Sequence, residues 1–506
     1  MKISNLKFLY FSLCWVCILA SCERSKDEEK PNFVIILVDD LGKEWIGAYG
    51  AEDIETPEID RLAKTGILFT NAYSMPQCTP SRLALLTGQY PYNNGWINHF
   101  DVPRWGHGAR FDPDRYPVFA KALRNAGYKT CAVGKWQIND FRLEPEAMVH
   151  AGFDEYFMWT GGEGGNEEVS DKRYWNPYIH SKEGSRTYEE QFGPDLFSDF
   201  AIDFMEKNKD QAFLVYYPMV LTHTPFVATP HEPNVESNFD KHRAMVRYTD
   251  FIVGKLMKAL DDMEIRKNTY VVFTTDNGTV PAIAGRRDGK FVIGGKSYLT
   301  ENGINAPFVI NHPGVIRAGK ESDALVDFTD LFPTLLELSG VEISKAEHSI
   351  DGKSFASVVN GEEVDLGKEW VISMGSHPTS INNDHRLENY YDFRDRILRN
   401  DRFKIYVDTL KKIDKIYDLS LDPFETVNVI DVESESIATV KDQVNGLLNE
   451  MPQKDHHPDY RPANNSLFDI PSERLNLMSK KGSKRNNQLG PLISEEKYLE
   501  MKGDPR

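Results

Sequence analysis

Cysteine is scarce in this chain, with five residues of this type, at positions 14, 17, 22, 78 and 131, among 506. The first three lie in an N-terminal apolar segment, so Cys78 and Cys131 are the two that remain for a folded domain. A framework of disulfides that replaces a hydrophobic core is therefore excluded. A single disulfide between Cys78 and Cys131 remains as an alternative to two free thiols.

An excess of positive charge is also missing. The chain has 59 Lys and Arg residues against 77 Asp and Glu residues, which gives a formal net charge of −18 at pH 7. This balance argues against nucleic acid as a partner, because binding to phosphates requires clustered Lys and Arg side chains. An anionic ligand would have to be held by a local group of cations that acts against the field of the whole protein.

The N-terminus carries an apolar run of thirteen residues, 8–20, which two lysines precede. The run is too short to span a bilayer, and it predicts an export signal over residues 1–22. The charged residues that follow, 23–30, are expected to form a flexible tether. No later segment of the sequence is apolar enough to predict a membrane span.

The end of the predicted signal, Leu19-Ala20-Ser21-Cys22, resembles the lipobox of bacterial lipoproteins. The resemblance implies cleavage before Cys22 and a lipid on its thiol. We therefore expect an exported lipoprotein that is periplasmic or tethered to the outer membrane. The alternative is a simple secretory signal with an incidental cysteine.

Further along the chain, three apolar runs predict buried strands, at residues 32–38, 212–217 and 270–275. Continuous apolar runs of this length are typical of parallel strands that are covered on both faces. Amphipathic patterns between the runs predict helices, including one over residues 244–263. The alternation predicts an α/β domain over residues 31–370, with a large mixed, mostly parallel sheet sandwiched by helices.

The pattern changes after about residue 370. Residues 394–407 and 415–419 resemble short strands, and residues 417–425 predict a strand, a turn and the start of a helix. A smaller α+β domain over residues 371–475 is the expected form. Residues 476–506, which are rich in Lys, Ser, Asn and Gln, are predicted to be an extended tail that wraps the surface.

Polar side chains follow the three predicted strands at the points where they end. Asp39 and Asp40 follow the first strand, His223 follows the second, and Asp276 and Asn277 follow the third. The carboxyl ends of parallel strands meet at one edge of a sheet, so these residues are expected to lie together. Three carboxylates and an amide oxygen form a set of ligands suited to Ca²⁺, or less well to Mg²⁺. A helix cap or a turn is the alternative for any single Asp.

The segment Cys78-Thr79-Pro80-Ser81-Arg82 opens a short apolar stretch that ends at Gly88. Pro80 in the first turn and Gly88 at the end predict a helix with Cys78 at its N-terminus. Backbone N–H groups at that end attract anions, and Arg82 adds a positive charge one turn along.

The pattern Cys-x-Pro-Ser-Arg leading into Leu-Thr-Gly resembles the signature of type I sulfatases, a family of the alkaline phosphatase superfamily. Segments at residues 56–71, 330–336 and 417–428 resemble further landmarks of that family, so the resemblance covers most of the chain. It implies an alkaline-phosphatase-like fold and a sulfuric ester hydrolase.

In that family a maturating enzyme oxidises the signature cysteine to formylglycine (3-oxoalanine), and the resemblance implies this modification at Cys78. It also implies one Ca²⁺ per chain, held by residue 78 together with Asp39, Asp40, Asp276 and Asn277. The hydrated aldehyde would be the nucleophile that attacks sulfur. A small buried core residue is the alternative for a free cysteine.

Four cationic side chains match further positions of the family. Arg82 would hold the aldehyde hydrate or the metal carboxylates in place. Lys135 and Lys296 would grip the sulfate group and neutralise its oxygens. His223 would contact sulfate and protonate the leaving oxygen. A solvated surface position is the alternative for a single lysine.

Two positions depart from the family pattern. Gln137 stands where the family usually has a His that accepts a proton during sulfate release, and an amide cannot take that proton at neutral pH. Another base would then have to serve, or turnover would be slow or lost. Asn305 stands where the family commonly has Arg, which is expected to alter support around the site rather than the chemistry.

Side chains that contact the sugar are harder to identify. Polar segments that we expect to be loops at the carboxyl edge of the sheet contain six candidates: Arg104, His107, Arg110, Arg173, His180 and His377. Arg104 and Arg173 are assigned to substrate binding together with Gln137, and a solvated surface position is the alternative for each. Trp105, Trp159 and Trp175 are candidates for stacking on sugar faces or for packing.

The hypothesis from the sequence is a lipid-anchored glycan sulfatase that acts on a terminal sulfated sugar, with sulfated galactose or N-acetylgalactosamine as the first choice. Its partners would be the sulfated glycan, the formylglycine-generating enzyme and the membrane. One alternative is a phosphonate monoesterase or phosphodiesterase of the same superfamily. Another is a glycan-binding lipoprotein that has lost turnover, for which Gln137 is the reason.

Overall fold

The computed structural model describes residues 30–97, 109–139, 141, 144–159, 172–342, 349–362, 366–376, 379–381, 387–389, 391–457, 459–460 and 490–503. The predicted export signal, Cys22 and nearly all of the predicted tether lie outside these residues.

A central sheet dominates the described part of the chain. Its strands are β1 (Asn32–Val38), β2 (Ile67–Phe69), β3 (Lys129–Lys135), β4 (Glu155–Trp159), β5 (Tyr178–Ser181), β6 (Gly184–Thr187), β7 (Phe213–Pro218), β8 (Thr269–Thr275), β9 (Phe308–Asn311) and β10 (Lys320–Ser322). They lie in the order β10-β2-β9-β8-β1-β7-β3-β4-β5-β6. The five strands from β8 to β4 are parallel, whereas β9 is antiparallel to both of its neighbours and β5 and β6 run antiparallel at the far edge. The predicted mixed, mostly parallel sheet is confirmed.

Helices cover both faces of this sheet. Those of seven or more residues are α1 (Pro57–Lys64), α2 (Cys78–Thr87), α3 (Phe119–Asn125), α4 (Gly193–Asn208), α5 (Asn238–Asp262), α6 (Leu331–Leu338), α7 (Glu435–Glu450) and α8 (Glu495–Gly503). One-turn helices span Pro91–Asn94, Ala147–His150, Glu301–Ile304 and Ala356–Val359. The described part of the chain also has four pairs of short strands: Ala72–Tyr73 with Val326–Asp327, Ala109–Arg110 with Asp459–Tyr460, Ala284–Arg287 with Lys290–Ile293, and Thr379–Ile381 with Leu387–Asn389.

The position of strand β1 in the sheet explains why its sequence is almost entirely apolar. Successive side chains of a strand point to opposite faces, and every residue of β1 is buried. Ile35 packs in the hydrophobic cluster that contains α2, α3 and α6, whereas Ile36 packs in the cluster that contains α1, α4 and α5. The sheet is therefore buried on both faces, and its polar residues are found beyond the ends of the strands.

The C-terminal region forms a second, antiparallel sheet of four strands: β11 (Val371–Met374), β12 (Arg396–Arg399), β13 (Phe403–Val407) and β14 (Ile413–Asp418), in that order. Helix α7 packs on it through Val440 and Val444. This smaller α+β unit agrees with the prediction. The boundary at residue 370 stays a prediction.

The predicted short strands within residues 394–407 are present as β12 and β13. The side chain of Asn400 accepts hydrogen bonds from the N–H groups of Arg402 (3.0 Å) and Phe403 (2.6 Å) and closes a tight turn between them. Two other predictions in the C-terminal region are wrong. No helix starts near residue 425, because Asp422 instead accepts a hydrogen bond from the N–H of Val427 (2.7 Å) and holds a turn. The next helix is α7, whose N-cap is Ser434.

The second error concerns the tail. Residues 495–503 form α8 rather than an extended strap, and residues 476–489 lie outside the described part of the chain. Tyr498 fixes α8, because its ring lies 4.8 Å from that of Phe291 and its hydroxyl donates to Asp53 (2.7 Å). Among the helices described, none is long and apolar enough to cross a membrane.

Both cysteines of the folded region are free. Cys131 lies in β3 within the core, where burial raises the pKa of its thiol well above the ordinary value. The alternative disulfide with Cys78 is therefore not formed.

Candidate active site

The polar ends of β1 and β8 form the floor of the site. These strands are parallel neighbours, with Val38 opposite Thr275, so the residues that follow them lie side by side. The N–H of Asp40 donates to Oδ1 of Asp276 (3.1 Å), and Nδ2 of Asn277 donates to Oδ1 of Asp40 (2.8 Å). All of these side chains are buried.

Helix α2 brings Cys78 to this floor. The helix ends at Gly88, whose φ of +66° is the left-handed conformation that favours glycine. All ten residues of α2 are buried, and Cys78 is its first residue. Ligand atoms of Cys78, Asp39 and Asp276 lie within 4.8 Å of one another. The structure therefore brings the signature cysteine to the acidic residues at the strand ends.

Arg82 lies one turn further along α2 and is fully buried. Its Nη2 donates to Oδ2 of Asp276 (2.7 Å), its Nε donates to the same oxygen (3.1 Å), and its Nη1 donates to the carbonyl of Lys135 (3.2 Å). This geometry fixes the orientation of the Asp276 carboxylate.

The two predicted lysines face the other two carboxylates. Nζ of Lys135, at the end of β3, lies 2.9 and 2.8 Å from the two oxygens of Asp39. Nζ of Lys296 lies 2.7 Å from Oδ2 of Asp40. Neither lysine is a solvated surface residue, because Lys135 is fully buried and the side chain of Lys296 is 15% exposed.

His223 lies beside the cationic side chains at Asp40. Its Nε2 lies 3.6 Å from Oδ2 of Asp40, and its Nδ1 lies 2.6 Å from the carbonyl oxygen of Thr224. Since a carbonyl can only accept, Nδ1 carries a proton, and Nε2 is the nitrogen that faces the site.

Burial and neighbouring charges shift the pKa values of the residues in the site. Burial opposes ionisation of Asp39, but Lys135 and His223 hold the pKa of its carboxyl well below the usual range. Burial and the neighbouring charge of Asp39 raise the pKa of Asp276 to about 7. Burial and the charge of Lys296 lower the pKa of His223 to about 3. Three buried carboxylates in one place favour a bound cation.

The residues present fit a hard divalent cation. Oδ1 of Asn277 is buried and accepts no hydrogen bond within the part of the chain that the structure describes. An unsatisfied buried oxygen beside three carboxylates is the environment of a metal ligand. Asp39, Asp40, Asp276 and Asn277 are thus a donor set of the kind that Ca²⁺ prefers.

Gln137, the departure from the family pattern, lies directly beside the cysteine. Its Oε1 is 3.8 Å from Sγ of Cys78, and its backbone carbonyl accepts a hydrogen bond from the hydroxyl of Thr79 (3.3 Å). Its φ of +53° is unusual for a residue with a side chain, and it directs the amide towards the site. The other departure, Asn305, accepts a hydrogen bond from Lys43 (2.6 Å) and donates one to Glu301 (2.9 Å).

The six candidates for sugar contact differ in whether the structure places them at the site. Nη1 of Arg173 lies 3.9 Å from Oδ2 of Asp39, so this residue belongs to the site. His180 was expected in a loop but lies in β5, where its ring bonds to Ser185 and to the carbonyl of Pro145, so its assignment to the sugar pocket is wrong. The remaining four cannot be placed, because the side chain of Arg110 and all of Arg104, His107 and His377 lie outside the described residues.

The tryptophan candidates differ in their exposure and contacts. Trp159 is buried, and its ring packs under the guanidinium of Arg173. Trp175 is 41% exposed, and its Nε1 donates to the carbonyl of Ala228 (3.1 Å). Trp105 lies outside the described residues.

Tyr174 is a residue of the site that the sequence analysis did not identify. Its buried hydroxyl donates to the carbonyl of Val220 (2.8 Å) and to that of His223. Nothing in the local sequence distinguishes this tyrosine, because both contacts depend on the path of a loop 46 residues away. It holds the backbone of His223 in place.

Two family models match the chain. The model described as Sulfatase matches residues 31–341, and the model of the C-terminal region of N-sulphoglucosamine sulphohydrolase matches residues 289–454.

Relatives and solved structures agree with these matches. The N-acetylgalactosamine-6-sulfatase of Canis lupus familiaris is 32% identical over 362 residues, which are 66% of this chain and 67% of that protein. Arylsulfatase D of Homo sapiens is 25% identical over 446 residues, 71% of this chain and 74% of that protein. The crystal structure of Ps i-CgsB superimposes with a TM-score of 0.69 at 25% identity, and the match covers 85% of this chain and 95% of that one.

Proposed function

We propose that this chain, which belongs to the sulfatase family, hydrolyses a sulfate ester of a terminal sugar through formylglycine at position 78 and one Ca²⁺. Its family and its sulfatase relatives make it a sulfuric ester hydrolase with sulfated glycans as substrates. The observation that carries the proposal is the placement of Cys78 within 4.8 Å of Asp39 and Asp276.

Two groups complete the site. Calcium held by Asp39, Asp40, Asp276 and Asn277, together with the hydrated aldehyde derived from Cys78, would supply a nucleophile for attack on sulfur. Arg82 orients Asp276 for this purpose through its two short contacts. The need for oxidation of Cys78 makes the maturating enzyme of the host a partner.

The chain's own cations would bind and polarise the ester. Lys135 and Lys296 lie against the carboxylates of Asp39 and Asp40, where they can also neutralise sulfate oxygens. Nε2 of His223 faces the same space. Because burial and Lys296 lower the pKa of His223 to about 3, the negative charge of a bound sulfate must first raise that pKa before Nε2 can give a proton to the departing sugar oxygen. Gln137 can orient a hydroxyl on residue 78 but cannot accept its proton, so another group must serve as that base.

The sugar we propose is sulfated galactose or N-acetylgalactosamine, removed from a chain end. A relative that is 32% identical is an N-acetylgalactosamine-6-sulfatase. The chain spans about two thirds of the length of that relative, so the transfer of its substrate is part of the proposal. We further propose that the protein is exported and tethered to a membrane through Cys22, on the lipobox pattern of residues 19–22.

The test is a screen of matured protein against defined monosulfated sugars, with oxidation of Cys78 verified by mass spectrometry. Release of sulfate from terminal galactose or N-acetylgalactosamine sulfates, but not from the same sugar inside an oligosaccharide, is expected. Faster hydrolysis of a nitrophenyl phosphodiester than of nitrophenyl sulfate would favour the phosphodiesterase alternative.

A second candidate function rests on the contact between Gln137 and Cys78. A protein without the usual proton acceptor could bind a sulfated glycan and not turn it over. Calorimetric binding of a sulfated sugar by fully matured protein, with no sulfate released, would select this candidate.

A further inference from the structure

Arg173 has hydrogen-bonding capacity that the described part of the chain does not use. Its Nε and Nη1 atoms are buried, and neither has a hydrogen-bond partner among the residues that the structure describes. The side chain is 11% exposed, so water satisfies little of it. Buried donors are nearly always paired in folded proteins, and a guanidinium left unpaired is costly.

Contacts within the protein hold the guanidinium of Arg173 in position before any substrate binds. Its carbon atom lies 3.9 Å from the centre of the Trp159 ring, which is a close cation–π stack. The two residues that follow Arg173 anchor the segment, because the hydroxyl of Tyr174 donates to the carbonyl of Val220 and Nε1 of Trp175 donates to that of Ala228. Arg173 is therefore held rigidly at the site and is not a mobile surface arginine.

The other cations of the site are engaged at close range. Lys135, Lys296 and Arg82 each lie 2.7 to 2.9 Å from a carboxylate oxygen, whereas among the described residues the nearest carboxylate oxygen to Arg173 is 3.9 Å away. That oxygen belongs to Asp39, which Lys135 already contacts through both of its oxygens. The charge of Arg173 is thus the least neutralised of the four.

From these contacts we infer that Arg173 binds a second anionic group of the substrate, a sulfate or a carboxylate beside the scissile ester. A planar guanidinium pairs with either group through two parallel hydrogen bonds, whereas a neutral hydroxyl could accept one bond and leave the charge uncompensated. Arg173 therefore makes the site selective for sugars with two negative groups. The inference deepens the proposed function and rests on it.

The test compares three sugars that share the same scissile ester: a monosulfated sugar, its disulfated form, and the monosulfated sugar joined to a uronate. We expect the wild type to have a kcat/KM at least about tenfold higher for one of the two dianionic sugars than for the monosulfated one. The dianionic sugar that is preferred shows whether the second group is a sulfate or a carboxylate. In Arg173→Ala this ratio should fall to near one, and Arg173→Lys, which keeps the charge but loses the planar fork, should fall in between.

The control is Arg186→Ala, which removes an exposed arginine that also lies against an aromatic ring, that of Tyr188, and should leave the ratio unchanged. Equal rates of the wild type on all three sugars would overturn the inference. So would an Arg173→Ala variant that loses activity on all three by the same factor, since that result indicates a structural role.

Failure of the proposed function gives a different result, because no sugar would then release sulfate. In that case calorimetric affinities of the wild type and Arg173→Ala for the same three sugars decide the inference. A preference for a dianionic sugar that disappears in the variant supports it, and equal affinities contradict it.

Discussion

The amide oxygen of Gln137 lies 3.8 Å from the sulfur of Cys78, at the position where the resemblance to the family implies a histidine. Carboxylate oxygens of Asp39 and Asp276 also lie within 4.8 Å of this sulfur. The amide of Gln137 is neutral and cannot accept a proton at neutral pH. The site is therefore suited to ester cleavage, but the residue beside the predicted nucleophile cannot remove a proton from it.

Replacement of Gln137 by histidine should raise kcat of the matured protein by about tenfold or more, because an imidazole can accept a proton near neutral pH. The pH profile of kcat should also gain an ionisation near about pH 6.5. Gln137→Asn, which keeps an amide, is the control and should show neither change. An unaltered rate and profile in Gln137→His would mean that another base already serves fully.

Removal of Ca²⁺ should abolish activity and lower the unfolding temperature. The buried carboxylates of Asp39, Asp40 and Asp276 lose the cation that offsets their repulsion, and a ligand present at about 100 times its Kd contributes about 2.7 kcal/mol. Readdition of Ca²⁺ to the chelated protein should restore both properties, as measured by sulfate release and differential scanning calorimetry.

Asp276→Asn provides the matched control for that experiment. The variant should no longer gain stability from added Ca²⁺, since one ligand charge is gone. Wild-type protein that keeps full activity after stringent chelation would contradict the assignment of the ligands.

The stability of the protein should fall at acid pH in part because of His242. Both of its ring nitrogens are buried without a hydrogen-bond partner in the described part of the chain, and the ring packs 4.5 Å from that of Trp45. Burial lowers the pKa of His242 to about 3. The folded state thus favours the neutral ring, so its contribution is complete above the ordinary pKa of about 6.5 and is lost as the pH falls from there towards 3.

His242→Phe removes this proton from the difference between the folded and unfolded states. Between about pH 6 and pH 4, the fall in unfolding free energy should become shallower by up to about 1.4 kcal/mol per pH unit, as measured by urea denaturation. His150→Phe, at an exposed position, should leave the slope unchanged. Parallel curves for the wild type and His242→Phe would show that His242 does not titrate as described.

Tyr174→Phe should lower kcat more than it raises KM. The hydroxyl supports the backbone of His223, so its loss should misplace the group that protonates the leaving oxygen. A hydrogen bond of this kind is worth about 1 kcal/mol, which corresponds to about a fivefold loss in rate. Tyr188→Phe, whose ring packs against Phe157, serves as the control, and equal effects of the two variants would exclude a positioning role for Tyr174.

Much of this site could be predicted from the sequence because strand ends are visible there. The apolar run that ends at Val38 is followed at once by Asp39 and Asp40, and the run that ends at Thr275 is followed by Asp276. In a parallel sheet the carboxyl ends of the strands lie at the same edge, so these residues are expected near one another. Pro80 and Gly88 then predicted the helix whose first residue is Cys78.

The remainder could not be predicted because it depends on side-chain packing between distant segments. Arg173 and His180 lie in similar polar stretches, yet Arg173 reaches Asp39 and His180 is buried in β5 beside Ser185. Helix α8 was missed because its local sequence is polar and the single aromatic anchor, Tyr498, has partners far along the chain.

The most direct test of the account is sulfate release by matured protein and by Cys78→Ala, assayed on the same sulfated sugar by ion chromatography. The account predicts that the variant folds with an unchanged circular dichroism spectrum and releases no sulfate above background. Sulfate release by Cys78→Ala at a rate near that of the wild type would contradict it.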